Sequence, residues 1–311
     1  MNGVVVIDKP EGMTSHDVVA GVRRILGIRK IGHAGTLDPL ATGVLPVCIN
    51  EATKLIPFFE SHRKHYLATM RLGVRTDTLD REGRIISEQT PTVTPEDVTA
   101  VLADFVGPCT QIPPRYSAVK FQGRPLYAWT RKGVDIEPPA RTVTIFSLAV
   151  AWIALPDVAF SVSCSRGTYV RSLCSDAGEK LGCGACLTEL RRTADGPFTE
   201  SSALRFEGLS PEGWKERIEQ GLIRLTETLP ELPAMEVGVP LLAGLKTGRQ
   251  PTAASVRGND IPFLAAGDMV KMITPGGRLV AVARALHASQ AMAGVDDRTR
   301  VFEILRVFNE I

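Results

Sequence analysis

The densest chemical signal in this chain is the run Gly32-His33-Ala34-Gly35-Thr36-Leu37-Asp38-Pro39-Leu40-Ala41-Thr42-Gly43. Glycine-rich loops cradle phosphates, but the Walker spacing fails: counting from Gly27 through Gly32, His33 stands where a lysine is required. What remains is one carboxylate, Asp38, in a loop stiffened by Pro39. The residue before a proline is driven to extended geometry, so this carboxylate has a defined orientation. Such a group can serve as a nucleophile or, with His33, in acid–base work. It is equally at home as a plain turn residue.

Other groups compete for attention. Cys183-Gly184-Ala185-Cys186 is a C-x-x-C with Cys164 and Cys174 upstream. A structural zinc site shows two closely spaced pairs, and the spacing of Cys164 and Cys174 does not supply the second. His62-Arg63-Lys64-His65 reads as a solvated polar turn before a strand. The pairs Arg23-Arg24, Arg29-Lys30, Arg63-Lys64, Arg131-Lys132 and Arg191-Arg192 suit phosphate contacts, although such pairs are usually solvated faces. A glycosidase needs a second carboxylate set against the first, and no recognisable loop offers one to Asp38.

The elements that must position these residues follow from composition and period. The 311 residues are 44% apolar and 23% charged, and 36 basic against 34 acidic side chains leave a net charge of +2. At roughly 100–200 residues per domain, one large domain and a small one are expected. Disorder is excluded by the apolar content and the low net charge. Six cysteines are too few for a disulfide scaffold and fit a reducing cytosol. No apolar run approaches the roughly 18 residues of a membrane helix. The N-terminus lacks the basic region of a signal peptide, so a cytoplasmic location is expected.

Residues 4–7 read as a buried strand closed by the Pro10–Gly12 turn, and Thr14 with Asp17 begins a helix that Gly27 ends. Residues 44–49 suggest a second buried strand, and 66–72 alternate as a strand does. Thr94-Pro95-Glu96-Asp97 opens a helix. Strands are expected near 143–155 and 158–164, with a helix over about 170–181. Leu229-Pro230-Glu231-Leu232-Pro233 reads as a linker, and the short apolar runs at 261–264, 269–273, 279–283 and 302–307 suggest a small β-rich domain. The interleaving argues an α+β or mixed α/β fold.

The run Gly35-Thr36-Leu37-Asp38-Pro39-Leu40-Ala41-Thr42-Gly43 resembles the catalytic motif of the TruB family, bacterial tRNA pseudouridine synthases acting on the T loop. Further blocks resemble the family in the same order: Asp8-Lys9-Pro10-Glu11-Gly12-Met13-Thr14-Ser15; Tyr66 with Arg71-Leu72-Gly73-Val74-Arg75-Thr76-Asp77-Thr78; Gln111 to Lys120; Cys164-Ser165-Arg166-Gly167-Thr168-Tyr169-Val170-Arg171; and Leu190-Arg191-Arg192. The resemblance runs to about residue 230. It implies an α+β pseudouridine synthase core over 1–230 with a mixed, mostly antiparallel sheet, cleft across its middle. On looser grounds it implies a PUA-type RNA-binding domain over 235–311.

The activity so implied is isomerisation of uridine 55 in the tRNA T loop to pseudouridine, without cofactor or metal. Asp38 would be the nucleophile, attacking the base ring or the ribose. Tyr66 would stack on the base and assist proton removal, and Arg171 would pair with Asp38 and keep it ionised. His33 would fill the space left by the extruded nucleotide, and Tyr169 and Leu190 would surround the base. Lys9, in the same binding group, would brace the loop. The trio Asp38, Tyr66 and Arg171 is intact, which favours an enzyme over a non-catalytic RNA-binding module. The partner is the tRNA T stem-loop, gripped by an insertion at 116–132 and by Lys246, Arg249, Arg257, Lys271 and Arg278 of the C-terminal domain. A monomer without an obligatory protein partner is expected.

Overall fold

The computed structural model describes residues 1–117, 120–121, 124–125, 129, 134, 138–206 and 210–309. Most of the 116–132 insertion, Arg131-Lys132 included, therefore lies outside the described residues. In chain order the strands of the large sheet begin with β1 (Gly3–Lys9), β2 (Ile31–His33), β3 (Thr42–Ile49) and β4 (Lys64–Leu72). A separate hairpin of β5 (Val74–Thr76) and β6 (Ile85–Glu88) precedes β7 (Gly107–Gln111), and β8 (Lys120–Phe121) pairs with β9 (Arg124–Pro125). The sheet is completed by β10 (Arg141–Ala154), β11 (Asp157–Cys164), β12 (Ala185–Asp195), β13 (Phe198–Thr199) and β14 (Ala203–Arg205).

The spatial order is β14-β1-β3-β12-β4-β11-β10-β7, with β2 on β3 and β13 on β12. Only β1–β14 and β12–β3 run parallel, so the sheet is mixed and mostly antiparallel. The β12–β3 pairing is short: Arg191 faces Thr42 and Arg192 faces Gly43. Gly43 has φ of +98°, and a Cβ there would lie 2.2 Å from the Arg192 carbonyl oxygen, so only glycine lets the two strands meet. Farther along β12 its free edge is met by another segment, where Arg81 N–H donates to the Leu187 carbonyl at 2.9 Å. The sheet is thus parted at its middle, and the 34–41 loop enters there.

Four helices matter to this core. The first, α1 (Ser15–Leu26), carries a full capping box from Thr14 and Asp17, and Gly27 ends it at φ of 65°. A second box, Thr94 with Asp97, starts α2 (Pro95–Ala103). The third, α3 (Val170–Lys180), has no side-chain cap of its own; Gln111 Oε1 accepts from the Tyr169 N–H at 3.0 Å instead. The fourth is α4 (Pro211–Gln220). On β4 the even positions from Lys64 to Leu72 are buried, and α3 packs on β12 and β4.

Beyond residue 233 a second sheet runs β15 (Ala234–Glu236), β16 (Met269–Ile273), β17 (Leu279–Ala285) and β18 (Phe302–Val307), with helices α5 (Val239–Lys246) and α6 (Ala253–Val256). Residues 261–264 form no strand. The linker prolines do not mark a free tether, because Leu229 is fully buried. Leu279, Val282 and Phe308 share one apolar cluster with Val6, Ala52, Leu55 and Phe59 of the larger sheet's layer. Lys271 is not a phosphate contact: it is buried and donates to the carbonyls of Thr226 and Leu229 at 3.0 and 2.7 Å.

Through this shared cluster the second sheet packs against the larger one. Leu279→Ala removes a buried side chain at the junction and is expected to cost roughly 2–5 kcal/mol. Calorimetry should show a single transition shifted down; a second transition at the wild-type temperature would contradict the shared packing.

Candidate active site

The loop bearing Asp38 is held by buried groups on either side of it. Ser15, the first residue of α1, accepts the Leu37 N–H at its Oγ (2.8 Å) and returns that hydroxyl to the Leu37 carbonyl (3.1 Å). Gly12 N–H donates to the Pro39 carbonyl at 2.9 Å. Lys9 is fully buried, and its ammonium donates to the carbonyls of Met13 (2.6 Å), Pro10 (2.8 Å) and Pro39 (3.2 Å). That placement gives Lys9 a bracing role and leaves no ammonium face for a substrate. Burial pulls its pKa down to about 8, with the Asp38 charge opposing.

So fixed, Asp38 presents a side chain 34% exposed, and its Oδ2 lies 2.8 Å from Arg171 Nη2. Arg171 itself is buried in the first turn of α3. A cation is unfavourable at a helix N-terminus, and two carboxylates offset it. The second is Asp80, whose Oδ2 lies 3.4 Å from Arg171 Nη1. The carbonyls of Thr78 and Tyr116 accept from the same guanidinium, each at 3.0 Å. Asp80 is fixed in turn by the Thr78 hydroxyl (2.5 Å) and the Glu82 N–H (3.1 Å) on its Oδ1. Burial pushes the Asp38 carboxyl up from the usual range; Arg171 pulls against this and Asp80 adds to it. The guanidinium therefore limits the rise rather than holding the carboxyl below its ordinary value.

Tyr66 sits on β4 in the buried cluster that also holds Leu37, Leu40 and Ala41 of the loop. Burial pushes its phenol well up, and the Arg192 guanidinium opposes. The phenol is thus protonated near pH 7, and its ring stands as a wall of the buried cluster. Leu190 lies opposite Ala68, one step along the same face. A cavity of about 410 Å³ opens there, lined by Leu40, Thr42, Leu190 and Trp152 among others. Tyr169 is half-buried beside Asp38, and burial and that charge push its phenol up. His33 ends β2, half-buried, its imidazole pushed down by burial and by the charge of Arg192.

Several expectations need correction. Residues 62–65 are not a solvated turn, because His62 and Lys64 are buried. Arg192 is no phosphate contact, being fully buried, and Arg191 is engaged by Asp8 at 3.0 Å and Glu200 at 2.5 Å. Cys183 and Cys186 are both buried, and burial pushes the Cys186 thiol up. Asp80 and Ser15 were missed as site residues. The acidic 77–82 stretch, which begins within residues 71–78, marks Asp80 as a carboxylate near the site but does not show which cation it meets.

Comparison with known proteins places this geometry. The model of the TruB family pseudouridylate synthase N-terminal domain matches residues 23–170, and that of the tRNA pseudouridylate synthase B C-terminal domain matches 171–231. The tRNA pseudouridine synthase B of Syntrophus aciditrophicus (strain SB) is 51% identical over 310 residues, covering 100% of this chain and 99% of that protein. The chain belongs to the TruB family of pseudouridylate synthases. A second relative, tRNA pseudouridine synthase B of Geobacter sulfurreducens, is 42% identical over 99% of this chain and 100% of its own length. Among solved structures, a Cbf5–Nop10–Gar1 complex matches with a TM-score of 0.75 at 30% identity, over 99% of this chain and 85% of that one. An H/ACA ribonucleoprotein bound to a substrate RNA containing 2′-deoxyuridine matches with a TM-score of 0.74 at 28% identity, over 99% and 85%.

Lys9 offers a direct test of how the loop is braced. Its pKa of about 8 against an ordinary 10.5 means that the unfolded chain binds more protons between those pH values. Stability contributed by this site therefore rises with pH across that window, by up to about 3 kcal/mol. Relative to Lys9→Met, wild type should gain stability from pH 8 to pH 10.5 in paired denaturant titrations. A difference that stays flat would contradict the buried ammonium.

Proposed function

We propose that this chain isomerises uridine 55 of the tRNA T loop to pseudouridine, with Asp38 as nucleophile. The observation that carries the reading is the partly open Asp38 carboxylate, 2.8 Å from a buried guanidinium, in a loop that enters the parted sheet. In this reaction the bond from ribose to the base nitrogen breaks and one to carbon forms. Either attack, on the base ring or on the anomeric carbon, begins from the ionised carboxylate, which later leaves again. Atoms balance without an added group, because the product is an isomer and only the proton on the new bonding carbon is exchanged.

The detached base must turn without escaping. Tyr66 and Leu190 serve as apolar walls, Tyr169 closes the side nearest Asp38, and neutral His33 takes the stacking place of the extruded nucleotide. An uncharged His33 suits that role better than an imidazolium, since stacking requires desolvation of the ring. Lys9 acts through the loop rather than on RNA. The partner is the T stem-loop, read by shape and phosphate contacts. Lys246, Arg249, Arg257 and Arg278 of the 235–311 domain lie exposed and suit that purpose, although Arg257 also pairs with Asp297. We take the enzyme to act as a cytoplasmic monomer over a 1–230 catalytic unit.

Asp38→Asn keeps the size and much of the hydrogen bonding but removes the nucleophilic charge. No turnover is expected in a tritium-release assay on carbon-5-labelled uridine tRNA, with RNA binding retained. Activity within about tenfold of wild type, roughly 1.4 kcal/mol of barrier, would contradict the assignment.

A further inference from the structure

Behind the Asp38 loop lies a group of buried charges that the reaction as described does not use. Arg192, Asp195, Lys64 and His62 are all buried, Arg192 completely. Lys64 Nζ donates to Asp195 Oδ1 at 2.9 Å. Arg192 Nη1 stands 3.7 Å from Asp195 Oδ2, and neither atom has a hydrogen-bond partner. His62 is kept neutral, burial pushing its imidazole down. Two cations against one carboxylate leave a net positive charge in the interior. Such a charge is costly, so tying strands together is not a sufficient reason for it; an apolar side chain would fill that space at less cost.

What the guanidinium touches suggests the reason. Its Nε donates to the Val44 carbonyl at 2.7 Å and its Nη2 to the Gly35 carbonyl at 3.2 Å. Across the β12–β4 register Arg192 stands opposite Tyr66, and its charge acts on the Tyr66 hydroxyl, drawing the buried phenol down against the effect of burial. Its backbone is pressed against Gly43, where no Cβ fits. Gly35 itself leaves room for the fork: a Cβ there would lie 3.3 Å from Arg192 Nη1.

We infer that Arg192 is a positioning residue of the isomerisation, one guanidinium that fixes the Tyr66 ring against the His33–Gly35 turn from behind the site. The inference rests on the uridine-isomerase reading given above. With no exposed surface, Arg192 acts through the two walls and never on substrate. The planar fork is essential, because it addresses the Val44 and Gly35 carbonyls at fixed angles and so holds its charge beside Tyr66; a lysine keeps the charge but offers a single point donor. The positive charge also serves the site, since it helps to keep His33 neutral.

The test uses single-turnover tritium release at saturating T stem-loop RNA, with RNA affinity measured separately, for wild type, Arg192→Lys, Tyr66→Phe and the double variant. Arg192→Lys should slow the reaction by at least about 30-fold while affinity changes less than about threefold. Tyr66→Phe should also slow it, and the double variant should be no more than about threefold below the slower single variant, the signature of groups acting as one unit. A purely structural role would lower the melting temperature and leave the folded enzyme's rate unchanged. Arg192→Lys within about threefold of wild type, Tyr66→Phe at the wild-type rate, or losses that multiply in the double variant would each overturn the inference. Tyr66→Phe, which leaves every Arg192 carbonyl contact in place, keeps the test decisive if Arg192→Lys does not fold. Wild type making no pseudouridine would instead remove the proposed reaction itself.

Discussion

A single buried guanidinium, that of Arg171, lies between two carboxylates: Asp38 from the inserted loop and Asp80 from the segment joining β5 to β6. Two backbone carbonyls take further N–H donors of the same group. Arg171 and Asp80 are thus removed from bulk water together, with Asp38 partly open at the edge of the pair, and neither buried charge could stay there alone. Asp38 is the least settled, since burial and the second carboxylate both favour its protonated form and only the cations oppose them. The rest of the site follows from keeping this carboxylate in place, ionised and reachable.

Two other cations hold the loop from behind. Lys9 grips the Pro39 carbonyl, and Arg192 grips that of Gly35. Between them Ser15 binds both the N–H and the carbonyl of Leu37. The result is a loop without regular structure that is nevertheless fixed along its length, as positioning of a nucleophile requires. It costs stability, since buried cations are expensive. The shared apolar cluster under the C-terminal sheet and the large core of the main sheet offset that cost.

Much of this was legible in the sequence. The capping pairs Thr14/Asp17 and Thr94/Asp97 start helices because each supplies the orphan N–H groups locally, and such signals need no tertiary knowledge. Alternation on residues 66–72 marked β4 for the same reason. What escaped was the burial of charge. Lys64 shares the parity of Tyr66, and Arg192 that of Leu190, so period two already placed both on the inner face. Side-chain type argued for solvent and prevailed wrongly, because the compensating Asp195 lies 131 residues from Lys64 in the chain. Lys271 was misread likewise, since its acceptors are backbone carbonyls, which no sequence pattern displays. Asp80 escaped because a turn aspartate gives no sign of facing an arginine 91 residues later.

The most direct measurement of this account is the protonation midpoint of the Asp38 carboxyl, followed by carbon-13 NMR and by the acid limb of single-turnover activity. In Arg171→Met the carboxyl loses its main opposing cation while burial and Asp80 remain. The midpoint should move to higher pH than in wild type, and the acid limb should move with it. A midpoint that does not move, in a folded variant, would show that Arg171 does not govern the charge of Asp38 and would contradict the account at its centre.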